Sequence, residues 1–128
     1  MSDEHDPLAW VERAEEDYAV AQSSLRRKQP FTHTACFHAQ QCAEKYLKAM
    51  LGAGKHKFPK THDLLLLSDL CSKAGILLGI EPKNLNTLSD YAARVRYPGE
   101  DPTPEEVREA LDIARSVRRV ARKFLNVT

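Results

Sequence analysis

Apolar side chains in this chain recur every three or four positions, segment after segment, and nowhere in sustained strict alternation. A helix brings positions three and four apart onto one face, whereas a half-buried strand needs every second one, so the pattern restricts the chain to helices. Trp10, Ala14, Tyr18, Ala21 and Leu25 mark a first helix. Asp6 as N-cap and Pro7 at the first helical position signal its start, and Pro30 stops it. A second helix runs from about Thr32 to Leu51 and carries two neighbouring stripes, Ala35, Ala39, Cys42, Tyr46, Ala49 and Cys36, Ala43, Leu47, Met50. So wide a band predicts a central helix with more than one neighbour, and Ala35, Ala39 and Ala43 permit close approach. Gly52 and Gly54 are expected to end it. Thr61 is the expected N-cap of a short, leucine-dense third helix from Asp63 to Ala74, closed by Gly75. Leu85, Leu88, Ala92 and Val95, with Tyr91 beside them, mark a fourth that stops before Pro98. The clearest start signal is Thr103-Pro104-Glu105-Glu106, which combines N-cap, proline and an acid at the third helical position. It opens a fifth helix to about Leu125, with Val107, Ala110, Leu111, Ala114, Val117, Ala121 and Phe124 inward. The expected fold is an all-α, antiparallel up-and-down helical bundle of four to five helices, one domain over residues 1–128.

A composition of 42% hydrophobic and 29% charged residues in 128 residues suits one folded core and excludes a disordered chain. The net charge of +1 selects no partner, but its distribution is uneven. Residues 1–17 hold Asp3, Glu4, Asp6, Glu12, Glu15, Glu16 and Asp17 against Arg13, whereas residues 113–123 hold Arg115, Arg118, Arg119, Arg122 and Lys123 and no acid. Matching of the helix macrodipoles accounts for this, and a surface facing a polyanion is the alternative. The acidic start lacks the apolar stretch of a signal peptide, and Leu64 to Leu67 is too short an aliphatic run to span a membrane. Cys36, Cys42 and Cys71 are an odd number in apolar helical surroundings, so reduced core thiols and a cytoplasmic location, with no membrane contact, are expected.

Several familiar sites are excluded by residue type. Gly52-Ala53-Gly54-Lys55 is followed by His56 rather than Ser or Thr and has no strand before it, so it is no phosphate loop. There is no HExxH and no CxxC, and no metal is expected. Five scattered histidines and three core-like cysteines make no triad.

Three groups of residues have the chemistry to hold phosphate. On the second helix His38, Gln41, Lys45 and Lys48 form a polar line opposite the apolar band. They fit either a phosphate contact or a solvated face in which Glu44 and Lys48 pair. On the fifth helix Arg108, Arg115, Arg119 and Arg122 form a second anion stripe, with pairing to the acidic first helix or to another subunit as the alternative. Between them, Tyr91, Arg94, Arg96, Tyr97 and Pro98 place two arginines and two aromatic rings at a forced turn, suited to capping the helix end or to a nucleotide base and its phosphates.

Three segments in register resemble one family. Ala35-Cys36-Phe37-His38-Ala39-Gln40-Gln41-Cys42-Ala43-Glu44-Lys45-Tyr46-Leu47-Lys48-Ala49 is similar to the central helix of HEPN domains (higher eukaryotes and prokaryotes nucleotide-binding). Lys60-Thr61-His62-Asp63-Leu64 and Arg96-Tyr97-Pro98 match two further elements of that family, and Trp10, Ala14, Asp17, Tyr18 and Ala21 fit its opening helix. The resemblance covers about residues 8–125. It implies a helical bundle that dimerises and binds nucleotide or RNA, as an RNA-cutting toxin or as the companion of a nucleotidyltransferase. The family's ribonuclease motif, an Arg followed after four to six residues by a His near the last helix, is missing: the last histidine is His62. Arg26 and Arg27 stand at such a spacing from His33 but between the first two helices, the wrong place.

The expectation is therefore a non-catalytic HEPN-type domain of a two-gene, toxin–antitoxin-like system, binding nucleotide or RNA phosphate through Gln41, Lys45, Lys48, Arg94, Arg96 and Tyr97. No cofactor is expected beyond a bound nucleotide; the expected partners are a second copy of the chain and a nucleotidyltransferase-domain protein. The alternatives are a ribonuclease with a non-standard site, for which His62 is the one titrating candidate, and a helical homodimerisation module.

Overall fold

The computed structural model describes residues 6–94 and 98–127, Arg94 by its backbone alone. Five helices follow in order: α1 Pro7–Arg26, α2 Thr32–Ala53, α3 Leu64–Lys73, α4 Pro82–Arg94 and α5 Pro104–Phe124. The described residues contain no strand. α2 touches all four other helices, the consequence of its double apolar stripe. Ala35, Ala39 and Ala43 are sealed, and Tyr46, Leu47, Met50 and Leu51 fill the centre beside Leu64, Leu67, Leu85, Leu88, Val107 and Val117. α1 runs antiparallel to α2, with Trp10 near Lys48 at one end and the amide of Phe31 bonded to Ser24 O at the other. α1 is also antiparallel to α5, because Glu15 meets Arg118 whereas Tyr18 meets Arg115.

The helix ends follow local chemistry. Asp6 accepts from the amide of Leu8, and Thr103 and Glu106 form the reciprocal capping box. The cap of α3 is Asp63 rather than Thr61, since its carboxylate accepts from both Leu65 N and Leu66 N. Thr61 instead accepts from the amide of Asp63, an outer turn that holds the cap in place. α3 closes in a Schellman turn in which Gly75, at φ 80°, lets Ile76 N reach Cys71 O.

The same turn closes α2: Gly54 is its cap, as expected, Gly52 lies inside its last turn, and the left-handed residue is Lys55 (φ 58°). Lys55 N bonds Gly52 O and His56 N bonds Leu51 O. A side chain in this conformation costs roughly 1 kcal/mol relative to glycine. Lys55→Gly is therefore expected to stabilise the protein by about 0.5–1 kcal/mol, measured by urea denaturation. A loss of stability would mean that the lysine side chain contributes more than its strained backbone costs.

All three cysteines are buried and unpaired by disulfides. Burial pushes the Cys71 thiol up to about 11 and drives Cys42 higher still, so these two are held as inert thiols. Phe124, expected inward, is half exposed at the last turn of α5. No helix among the described residues is long and apolar enough to cross a membrane.

Candidate nucleotide cleft and its buried carboxylate

The polar line of α2 is covered in part: Lys48 is buried, whereas His38, Gln41 and Lys45 are half-buried. Glu44 is buried at 2% side-chain exposure, and the ammonium of Lys48, at 7%, lies 3.1 Å from it. The same carboxylate receives His62 Nδ1 at 2.9 Å and the amides of Gln40 and Gln41 at 3.4 Å each. Gln40 Nε2 also donates to the backbone carbonyl of His62 at 3.1 Å, which ties the loop before α3 to α2. The Glu44–Lys48 pair thus forms inside the protein and not on a solvated face.

Lys45, adjacent to Glu44, and His38, nearly two turns before it, converge on Asp17 of α1, at 2.5 and 2.7 Å. Asp17 is itself buried. Lys45 and Lys48 therefore each face an internal carboxylate, and the acids of α1 are in part interior groups.

The arginine stripe of α5 is divided between surface pairs and interior ones. Arg108 leans on Glu105 at 3.7 Å; Arg115 pairs with Asp112 at 2.8 Å and donates to the Tyr18 hydroxyl at 3.0 Å. Arg122 donates to Tyr46 Oη at 3.1 Å and lies 3.6 Å from Glu15, while Arg119 is exposed. The stripe omits the arginine that matters most for packing. Arg118 grips Glu15 with two hydrogen bonds of 2.7 and 2.8 Å, its guanidinium 4.5 Å from the Tyr18 ring centre. Tyr46 donates to the same carboxylate. Arg118 above all, with Tyr46 and Arg122, holds the Glu15 carboxyl below its ordinary range against the opposing effect of burial. Burial and the bond to Glu15 push the Tyr46 phenol well up. The opposed charge of the chain's two ends was the signal for this clamp: acids of the first helix answer bases of the last.

Beside Glu44 a cleft of about 400 Å³ opens between α2, the loop before α3, and α4, within the size range of small-molecule sites. Its walls are Phe37, Gln40, Gln41, His62, Ser89, Ala92 and Ala93. His62 is 82% exposed although its Nδ1 is bonded to a buried carboxylate, so the ring bridges the interior and the cleft. Phe37 is 45% exposed and edge-on to His38. Of the expected site residues, Gln41 and His62 meet here; Lys45 lies on the α1 side, in a different depression beside Arg13 and Asp17. Ser89 was not singled out by motif or charge, and Phe37 entered only as a member of the segment that resembles the family's central helix. Of the turn that follows α4, Arg94 is described by backbone only, and Val95, Arg96 and Tyr97 lie outside the described residues.

Comparison with known proteins gives consistent results. The family model for the HEPN domain matches residues 8–124. The crystal structure of TT1696 from Thermus thermophilus superposes with a TM-score of 0.72 at 27% identity, covering 92% of this chain and 97% of that one. No curated protein sequence matches.

Proposed function

The chain belongs to the HEPN domain family, a nucleotide- and RNA-related helical domain, and from that premise we propose that it is a non-catalytic nucleotide- or RNA-phosphate-binding protein. The observation that carries the reading is the cleft beside Glu44, which joins an exposed aromatic ring, four polar side chains (Gln40, Gln41, His62 and Ser89) and the apolar Ala92 and Ala93 of α4. The base occupies the cleft. Its phosphates are assigned to the basic segment Arg94, Arg96 and Tyr97, which follows Ala93 in the sequence. Lys45 and Lys48 are not the primary phosphate ligands in this reading, because each is already committed to a carboxylate. The protein works as a homodimer with a nucleotidyltransferase-domain partner, a role that rests on the family resemblance. Its non-catalytic character rests on α5, which carries no histidine.

One observation favours a second reading. Glu44 orients the His62 imidazole through Nδ1, the arrangement that prepares Nε2 to take a proton from a ribose 2′-hydroxyl. The experiment that separates the readings is titration with ATP, GTP and a short RNA at low salt, with the RNA inspected afterwards for cleavage. Binding is expected, falling as salt rises because phosphate contacts release counterions. Mass in solution is expected at twice 14.5 kDa. Absence of all binding would sink the proposal. RNA cleaved by the wild type and spared by His62→Ala would move the assignment to the ribonuclease.

A further inference from the structure

The hydrogen-bond polarity of the cleft points to more than nucleotide binding. We propose that it selects nucleobases bearing an exocyclic amine, with Gln41 as the residue that sets the preference; the inference rests on the nucleotide reading above.

The argument begins at a group with no freedom. The backbone carbonyl of His62 can only accept, so Gln40, whose amide end lies 3.1 Å from it, must present its NH₂ there and to Glu44. The Gln40 oxygen is then turned towards Gln41, whose Nε2 lies 2.8 Å away. A second acceptor, Glu44 Oε1, lies 3.4 Å from the same nitrogen. Both acceptors fix the Gln41 amide with its NH₂ inward, and the group it has left for the cleft is its carbonyl oxygen. Glu44 fixes His62 in the same way. A carboxylate 2.9 Å from Nδ1 requires the proton on that nitrogen, so the uncharged form of the ring is the tautomer whose Nε2 is an acceptor facing solvent.

One buried carboxylate and one main-chain carbonyl therefore orient two side chains so that both offer acceptors. Across the cleft, α4 offers one polar side chain, the Ser89 hydroxyl, which can rotate to donate or to accept, beside the apolar Ala92 and Ala93, and the exposed Phe37 ring gives a flat apolar surface. The complementary ligand is planar and carries N–H donors on its edge. An amino-bearing base answers both requirements, whereas a carbonyl in place of the amine sets oxygen lone pairs against oxygen lone pairs.

The test uses nucleotide pairs with identical phosphates, so that electrostatic attraction cancels: GTP against ITP, CTP against UTP, and ATP against the triphosphate of purine riboside. Isothermal titration of the full chain is expected to show a preference of about tenfold for the amine in at least one pair, the worth of one well-made hydrogen bond. Gln41→Leu, checked for an unchanged helical spectrum, is expected to reduce that preference to less than about twofold, read as the ratio of the two affinities within each pair. Short oligo-C against oligo-U separates the two sources of the base. Discrimination by oligomers alone assigns the cleft to unpaired RNA, and discrimination by mononucleotides assigns it to free nucleotide. Equal affinities within every pair would overturn the inference and leave nucleotide binding standing. A preference that survives Gln41→Leu would overturn the role of Gln41. Failure of every nucleotide and oligomer to bind would remove both readings together.

Discussion

Glu44→Met is expected to cost roughly 3–5 kcal/mol, the usual effect of leaving a buried charge without its partner. For a chain of this size that corresponds to a fall in melting temperature on the order of 10–20 °C. The ammonium of Lys48 would keep only the face of Trp10, 5.2 Å away, as compensation. The reverse change is expected to be milder. In Lys48→Met the Glu44 carboxylate keeps His62, Gln40 and Gln41 as donors, so a cost of about 1–2 kcal/mol is expected. The double variant Glu44→Met with Lys48→Met removes both charges and should recover most of the loss, since well-packed apolar replacements of buried pairs are often neutral. Thermal melts of the three variants decide it. Equal costs for the two single changes would show that the ion pair, rather than the four-donor carboxylate, is what the fold depends on.

Glu15→Gln is expected to destabilise by roughly 2–3 kcal/mol at neutral pH, because one carboxylate holds Arg118 in two bonds and accepts from the buried Tyr46 hydroxyl. The loss should depend on pH in a defined direction. The folded protein holds Glu15 below its ordinary 4.5, chiefly through Arg118, so the carboxylate is favoured in the native state. Its contribution is therefore fully present above pH 4.5 and is lost as the pH falls through the lowered folded value. Wild type and Glu15→Gln should differ most near neutrality and converge in acid. Urea denaturation at a series of pH values measures the gap, and a gap that stays constant down to acid pH would show that Glu15 acts by packing alone. Tyr46→Phe, combined with Glu15→Gln, should show a coupling of about 1 kcal/mol, as expected for groups in direct contact.

The two clamps differ in how visible they were. That bases of the fifth helix could meet acids of the first was open to inference from charge, yet Glu15 had no special status among seven acids in the first 17 residues. Its partner Arg118 stood outside the arginine stripe, since a stripe is defined by mutual alignment whereas the clamp is defined by what lies opposite. The polar line of α2 shows the same thing more sharply. Its spacing established that His38, Gln41, Lys45 and Lys48 share a face, and the natural reading of a polar face is that it meets water. Asp17 and the His62 loop cover that face, turning what was expected to attract phosphate into interior ion pairs.

The sequence by itself determined the order of the helices, their inward apolar faces and most of their ends. Each of those depends on residues within a turn or two of one another: Asp6 with Leu8, Thr103 with Glu106, Leu64 with Leu67. Even the error in a cap was short-range, moved from Thr61 to Asp63. The tertiary structure alone decided which charges are buried and which amide edge faces the cleft. Glu15 and Arg118 are 103 positions apart, and Gln40 owes its orientation to a carbonyl 22 positions away. Periodicity fixes a side chain's angle about its own helix; the group it meets at that angle is set only when another segment packs across it.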